Sequence, residues 1–212
     1  MKNILTYILI ILSTLSYSIT KEESDLVNEI NSIRKNPKSY IPKVEDYIIK
    51  QKKLMLMVGG KLKVNIKSNS GVMSKDNTMV NSKTLVGVDV LKRNINSAEE
   101  LILVLEGLEP MDTLKFSYDM YPITVKHGNY LKEENTLGHY GPKGETLYDR
   151  FNSNEVSENC GTSLISLMVD SGVENRGHRK NILDPDWGYI SVFYIKNHPT
   201  WGNKSMVQNF SK

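Results

Sequence analysis

The feature that most limits the fold of this 212-residue chain is its single cysteine, Cys160. With one thiol, no disulfide can form within the chain, so the packing of apolar side chains must stabilise it. Hydrophobic residues make up 39% of the sequence and charged residues 24%, which is typical of a folded soluble domain and excludes disordered chains and multi-span membrane proteins. The length predicts one compact domain, in which Cys160 is a buried apolar residue.

The N-terminus has the pattern of a secretory signal peptide. Lys2 precedes an almost wholly apolar run over residues 4–15, and Ser16-Tyr17-Ser18 provides the small-x-small pattern of a cleavage site. The run is shorter than the roughly 20 residues that a transmembrane helix needs, which argues against a membrane anchor. We therefore expect a signal peptide over 1–18, a single domain over 19–212, and an extracellular protein without a transmembrane segment after cleavage.

Charge and motif content exclude several function classes. The formal net charge is +3 and the basic residues are spread along the chain, so nothing indicates a nucleic-acid-binding surface. The sequence has no HExxH, CxxC, GxSxG or phosphate-loop motif, and the common enzyme signatures are therefore absent.

Hydrophobic periodicity predicts helices early in the chain and strands late. A first helix is expected from Ser24 or Asp25 to Asn36, and a second to Lys50. A capping pattern of Ser97 followed by Glu100 predicts that another helix begins at Ser97. Further helices are expected from near Pro122 and over 162–171, whereas 54–90 indicates strand or loop.

The C-terminal region predicts an antiparallel pair of strands. The segments 187–195 and 205–210 are rich in aromatic and β-branched residues, and Asn197-His198-Pro199 between them is typical of a turn. Helices that flank a few strands indicate a mixed α/β sandwich.

Six polar residues that suit a functional site lie within forty positions of one another. They are His139, Glu145, Glu158, Asp170, Glu174 and His178. Two imidazoles and two carboxylates form a ligand set for a divalent ion, in which the nitrogen ligands favour zinc and the oxygen ligands admit magnesium or calcium.

Four segments of this region are distinctive: GHYGPKGE at 138–145, SEN at 157–159, LMVDSGV at 167–173 and RGHRKNIL at 176–183. They resemble motifs of the CAP superfamily (cysteine-rich secretory proteins, antigen five and pathogenesis-related proteins), and in particular the SCP-like extracellular proteins of microbes and protists. The last segment is the most specific of the four. Weaker agreement extends to the opening helix and the last strand, so the resemblance covers most of residues 19–212.

The resemblance implies a three-layer α-β-α sandwich with a central antiparallel sheet and a cleft in which two histidines and two acids hold a divalent ion in some relatives. By their position in the motifs, His139, Glu158 and His178 match three of these ligands. Asp170 is the nearest match to the fourth acid, and Glu174 is the alternative.

Other residues of the motifs are expected in the same cleft or in structural roles. Tyr140, Asn159 and Arg176 are expected to line the ligand cleft. His127 lies on an apolar stripe, which favours a core histidine over a ligand. The basic group that Arg176 forms with Arg179 and Lys180 is expected on a solvated face, and Glu158 has an alternative role as an acid in the first turn of a helix.

The resemblance implies a secreted, non-catalytic protein, expected as a monomer, that binds a small hydrophobic ligand such as a sterol or fatty acid, or a surface partner. Zinc is the ion expected at the histidines and acids. Two alternatives stay open: a metal-assisted extracellular hydrolase, in which His178 or Glu158 activates water, and a secreted adhesion module.

Overall fold

The fold is described from a computed structural model of the chain, in which residues 18–59 and 87–212 are described. The expected signal peptide up to residue 17 lies outside the described residues, and so does 60–86 of the segment expected as strand or loop. The parts of that segment that are described, 54–59 and 87–90, belong almost entirely to helices, which corrects the expectation there.

The described residues form seven α-helices and four β-strands. The helices are α1 (Lys21–Lys35), α2 (Ile41–Gly59), α3 (Val88–Gly107), α4 (Tyr121–Glu133), α5 (Leu147–Phe151), α6 (Leu164–Val169) and α7 (Gly177–Leu183). The strands are β1 (Lys115–Phe116), β2 (Val156–Gly161), β3 (Tyr189–Ile195) and β4 (Ser205–Ser211). None of the helices in the described part of the chain combines the length and the apolar character needed to cross a bilayer.

The strands form one sheet in the order β1-β3-β4-β2. The expected antiparallel pair is confirmed, since β3 pairs with β4 from Tyr189 opposite Ser211 to Ile195 opposite Ser205. β2 adds to the other side of β4, also antiparallel. The sheet is not antiparallel throughout, however, because β1 pairs in parallel with β3. The chain between these two strands crosses over through helices, which returns it in the same direction.

Helices cover both faces of the sheet. Side chains of successive strand residues point to opposite faces. Ile190 and Val192 of β3 and Phe210 of β4 belong to the large core with α1, α2, α3, α6 and α7. Phe193 and Ile195 face the other way, where Gly128 of α4 lies against them. The α/β class and the three-layer arrangement are therefore confirmed.

Two helix starts differ from the expectation. The N-cap of α1 is Thr20, four or five residues before the expected Ser24 or Asp25, because Thr20 and Glu23 form a capping box in which each side chain binds the backbone N–H of the other residue. Ser97 does not begin a helix: it lies buried inside α3, and Glu100 binds arginines instead of a helix end. The capping pattern at Ser97 is thus a coincidence within a longer helix.

A buried arginine ties the end of α1 to distant parts of the chain. The Arg34 side chain is fully buried. It donates to the carbonyl oxygens of Asp112 at 2.7 Å, of Ile182 at 3.0 Å and of Asp184 at 2.8 Å. These bonds hold α1 against the end of α7, which carries one of the candidate histidines.

Candidate functional site

Glu158 is the buried acid of the site, and it lies in the middle of β2 opposite Asn209 of β4. Only 1% of its side chain is exposed. The Asn209 amide donates to its Oε2 at 2.9 Å. The alternative role of Glu158 in the first turn of a helix is therefore wrong, because three more residues separate it from the loop that leads into α6.

Arg150 neutralises this carboxylate. Thr146 and Asp149 form a capping box that starts the short helix α5, which carries Arg150. The Arg150 Nη2 atom lies 3.0 Å from Oε1 and 2.9 Å from Oε2 of Glu158. With 4% of the Arg150 side chain and 1% of the Glu158 side chain exposed, this is a buried ion pair.

His139 is held at its ring and at its backbone. Its Nδ1 lies 3.1 Å from Oε1 of Glu158, and its carbonyl oxygen accepts a hydrogen bond from Arg150 at 3.0 Å. The preceding carbonyl, of Gly138, lies 3.0 Å from Nε2 of His127 and accepts from Cys160 Sγ at 3.2 Å. The His139 side chain remains 40% exposed, so the ring is fixed but accessible.

His178 has its own carboxylate, Asp170. The Asp170 Oδ1 lies 2.8 Å from Nδ1 of His178, and Oδ2 accepts from the backbone N–H groups of His178 at 2.9 Å and Arg179 at 3.3 Å. Asp170 ends α6 in the left-handed conformation (φ 52°, ψ 41°), which Asp tolerates better than most residues. Glu174, the alternative acid, is exposed in a short 3-10 turn.

The two histidines and two acids thus come together as two pairs. The imidazole rings of His139 and His178 lie with their centroids 6.2 Å apart and their planes inclined by 31°. Because each Nδ1 faces a carboxylate, this geometry selects the tautomer in which Nδ1 donates to the carboxylate and Nε2 carries the lone pair. Within the described residues, neither Nε2 has a hydrogen-bond partner.

Burial and charge set the protonation of the groups behind His139. Burial alone would raise the pKa of Glu158, but the hydrogen bond from His139 and the neighbouring His127 and Arg150 outweigh it and hold the pKa below its usual range. Burial lowers the pKa of His127, which is therefore neutral at pH 7. Burial also raises the pKa of the Cys160 thiol well above its usual value, so the thiol is protonated and unreactive, as the sequence predicts.

By position alone, one group of described residues could hold a metal ion: ligand atoms of His127, Glu158 and Cys160 lie within 4.8 Å of one another. The chemistry of these donors does not fit. The ring of His127 and the thiol of Cys160 are both directed at the same carbonyl oxygen, and Arg150 already neutralises the carboxylate. A metal would have to displace a buried guanidinium and remove the proton of a thiol whose pKa burial raises.

The ligand set implied by the resemblance does not fit as a four-ligand cage either. The Glu158 oxygens face Arg150, and both Asp170 oxygens bind His178. The nitrogen pair is different, because neither Nε2 is hydrogen-bonded to another described residue and the carboxylates behind the rings orient them. This is the arrangement of histidine ligands with outer carboxylates.

The residues expected to line the cleft have different environments. Tyr140 is 51% exposed beside His139. Asn159 is instead fully buried, and its amide donates to the carbonyl oxygen of His178 at 3.1 Å. Arg176 binds Glu100 with two of its guanidinium nitrogens.

The basic group around Arg176 is only in part a solvated face: Lys180 is exposed and Arg176 is partly exposed, but Arg179 is not. Arg179 is buried and donates to Glu100 at 2.7 Å and to the carbonyl oxygen of Met168 at 2.7 Å. These arginines fasten α7 and the turn before it to α3 and α6, and so position His178.

Two residues of the site escape the sequence reasoning. The sequence predicts His127 as a core histidine, which is confirmed by its 2% exposure, but not its place 3.6 Å from Glu158. Arg150 is not singled out at all. The Thr146–Asp149 capping pattern predicts a short helix there, and Arg150 directly follows this pattern. That position is the sequence signal that could have drawn attention to Arg150.

The comparisons with known proteins give similarity to structures only. No protein-family model matches the sequence, and no curated protein matches it. An extracellular protein with an SCP domain from Bacillus anthracis is 19% identical over 68% of this chain, with a TM-score of 0.35. This chain spans 45% of the length of that structure. An outer surface protein from Borrelia burgdorferi is 18% identical over 58% of this chain and 92% of its own length, with a TM-score of 0.39.

The first of these structures carries the domain type that the motifs at 138–183 resemble. Both TM-scores are low, so the fold class rests on the chain's own sheet and helices.

Proposed function

We propose that this protein is an extracellular, SCP-like binding protein that captures a small amphipathic ligand at His139 and His178 without turning it over. One observation carries the proposal: both rings have Nδ1 fixed on a buried carboxylate and Nε2 directed to no other described residue. A lone pair on the Nε2 of a ring that is held in place accepts a hydrogen bond from a hydroxyl group. The side chain of His139 is 40% exposed and that of His178 is 20% exposed. Sterols and protonated fatty acids offer such a group on an apolar body.

The same geometry argues against nucleophilic catalysis. Hydrolysis through a covalent intermediate with a histidine base needs a serine, threonine or cysteine nucleophile in hydrogen-bond reach. In the parts of the chain that are described, no hydroxyl or thiol is hydrogen-bonded to either Nε2, and burial raises the pKa of the half-buried Cys160 thiol, so that it is protonated. A binding role needs only the fixed acceptors and the exposed surface beside them, where Tyr140 lies.

A divalent ion is the second ligand that this nitrogen pair suits. The ion would be held by Nε2 of His139 and Nε2 of His178, and zinc is the choice that imidazole ligands favour. When bound, it would supply Lewis-acid chemistry, which is the basis of the hydrolase alternative. The chain itself contributes the orientation of both rings.

The N-terminal pattern, which is typical of a signal peptide over 1–18, supports an extracellular location. A stable fold without disulfides agrees with the single cysteine. We propose that residues 19–212 act as one domain.

The test is direct binding of a fluorescent sterol, a fluorescent fatty acid and zinc to the protein from residue 19 onward. Wild type is compared with a His139→Gln, His178→Gln double variant, whose side chains keep polar groups of similar size. We expect the double variant to lose about tenfold or more in affinity for at least one of the two amphiphiles. Equal affinity of both proteins for every probe would reject the proposal.

A matched pair of tyrosine variants locates the binding surface. Tyr140→Ala, beside His139, is expected to weaken binding of the amphiphile. Tyr118→Ala removes a 61% exposed tyrosine next to β1, at the opposite edge of the sheet, and is expected to leave binding unchanged. Ester hydrolysis that zinc stimulates and the double histidine variant abolishes would favour the hydrolase instead.

A further inference from the structure

Arg150 of helix α5 binds several groups of the site at once. Its Nη2 binds both oxygens of Glu158, and its Nη1 donates to the carbonyl oxygens of His139 at 3.0 Å and Glu145 at 3.4 Å. One guanidinium therefore neutralises the acid and holds the backbone of the histidine that the same acid orients.

The guanidinium lies where a metal bound to Glu158 would need to be. Zinc binds carboxylate oxygen at about 2.0–2.2 Å. An ion that close to Oε1 or Oε2 would lie within a few ångströms of a permanent positive charge that contacts both atoms. The remaining side of the carboxylate is occupied by Asn209 and His139.

Because Arg150 is buried, a metal ion cannot easily displace its guanidinium. Its side chain is 4% exposed, and its Nε has no hydrogen-bond partner among residues 18–59 and 87–212. A guanidinium that is bound through its two Nη groups and surrounded by protein cannot turn towards water without separating a buried ion pair, which is strongly unfavourable.

We propose that Arg150 is the specificity-determining residue of this site: it takes the cation position beside Glu158, fixes His139 without a metal, and confines any divalent ion to the two imidazole nitrogens. The inference deepens the proposed function, on which it rests for the role of His139. Ligand capture then needs no metal. A metal ion would be bound by two protein ligands, the imidazoles of His139 and His178, rather than by four.

The experiment is zinc titration by calorimetry of three proteins: wild type, Arg150→Met, and the double variant Arg150→Met, Glu158→Gln. Removal of the guanidinium frees Glu158, so Arg150→Met is expected to bind zinc about tenfold tighter or more than wild type. The double variant is expected to return close to the wild-type value. Arg93→Met, which removes an exposed arginine on α3, is the control and is expected to match wild type.

Two results would overturn the inference. In the first, folded Arg150→Met binds zinc no more tightly than wild type does. In the second, the gain in zinc affinity persists when Glu158 is also replaced. Folding of each variant is followed by circular dichroism with zinc and with a chelator. Arg150→Met that folds only with zinc also supports the inference, since the ion then substitutes for the guanidinium.

A second measurement on the wild-type protein does not depend on the stability of any variant. The side-chain NMR signals of Arg150 report its ion pair with Glu158, and they are expected to stay unchanged at saturating zinc. Their loss would show that zinc displaces the guanidinium and would overturn the inference.

The proposed function and the inference can fail separately. If no amphiphile binds but zinc affinity rises in Arg150→Met through Glu158, the proposed function fails and the role of Arg150 stands. If amphiphiles bind through His139 and His178 but the Arg150→Met variant gains no zinc affinity, the reverse holds.

Discussion

Each histidine of the site is fixed at its ring and at its backbone by different groups. For His139 these are the carboxylate of Glu158 and the guanidinium of Arg150. For His178 they are the carboxylate of Asp170, which binds both ring and backbone N–H, and the amide of Asn159 on the carbonyl. Rings held in this way lose little freedom when a ligand binds, which favours binding.

Two replacements of Asp170 distinguish the effect of its charge from the effect of its hydrogen bonds and backbone conformation at His178. Asp170→Ala removes the acceptor of three hydrogen bonds and puts alanine in a left-handed conformation, so we expect a loss of about 3–5 kcal/mol of unfolding free energy. Asp170→Asn keeps an acceptor and tolerates the backbone, and should lose about 1–2 kcal/mol. Urea unfolding at pH 7 measures both. Equal stability of the two variants would contradict the role of Asp170.

The pKa of His127 predicts how stability depends on pH. Because burial lowers its pKa in the folded state, the unfolded chain binds the proton more readily, and stability rises with pH across this window. The contribution is complete above the unfolded pKa of about 6.5 and is lost as pH falls from there through the folded pKa.

His127→Gln should remove this dependence, because glutamine keeps an amide donor near the Gly138 carbonyl oxygen but does not titrate. Urea midpoints between pH 7 and pH 5 are expected to fall more steeply for wild type than for His127→Gln. Parallel slopes for the two proteins would show that His127 is not the group that titrates.

At the scale of the helices and strands, the sequence predicts what local patterns determine. The turn at Asn197-His198-Pro199 and the strands on either side of it follow from their residue types, and α4 begins at the expected proline. Strand β2 escapes prediction, because its sequence VSENCG places a polar triplet in a sheet. Its acid and amide are buried only because Arg150 and the neighbouring strand pair with them, and no local pattern reports such partners.

The resemblance, unlike periodicity, predicts that His139, Glu158 and His178 come together. It does so because the motifs of a family carry information about its tertiary structure. It does not predict Arg150, which lies between the matched segments. The difference decides the chemistry, because a motif can give the positions of two acids and two histidines without showing that a cation of the chain already neutralises one acid.

Packing of α4 on the sheet depends on Gly128. A Cβ at this position would collide with the ring of Phe193 and lie 3.3 Å from Ile195. Gly128→Ala gains about 1 kcal/mol in helix propensity but overpacks a rigid contact that costs about 1–3 kcal/mol, so we expect a lower melting temperature.

Gly107→Ala is the matched control, because nothing lies within 4 Å of a Cβ at the end of α3. It should be neutral or slightly stabilising. A further Phe193→Leu replacement should restore part of the stability lost in Gly128→Ala. If Gly128→Ala melts above wild type, the close contact between α4 and β3 is wrong.

At the scale of the whole molecule, the three layers are joined by buried polar side chains as well as by the apolar core. The Asn31 amide exchanges two hydrogen bonds with the backbone of Leu114, just before β1. Arg34, about one turn later, donates to carbonyl oxygens at the C-terminal end of α7. Such contacts take the place of disulfides in a chain with one cysteine, because each joins segments more than 75 residues apart.

Replacement of Arg34 therefore tests whether these buried polar contacts stabilise the whole fold. Arg34→Met leaves the carbonyl oxygens of Asp112, Ile182 and Asp184 without their donor, at a cost of about 1–3 kcal/mol for each group that water cannot reach. We expect a loss of at least about 3 kcal/mol in urea unfolding, in a single cooperative transition, whereas the exposed neighbour Lys35→Met should change stability by less than about 0.5 kcal/mol. Arg34→Lys should lie between them, because an ammonium group has three donors but lacks the planar reach of the guanidinium. Two separate transitions in Arg34→Met would mean that α1 and the segment around α7 unfold independently, and that the arginine joins two units rather than closing one.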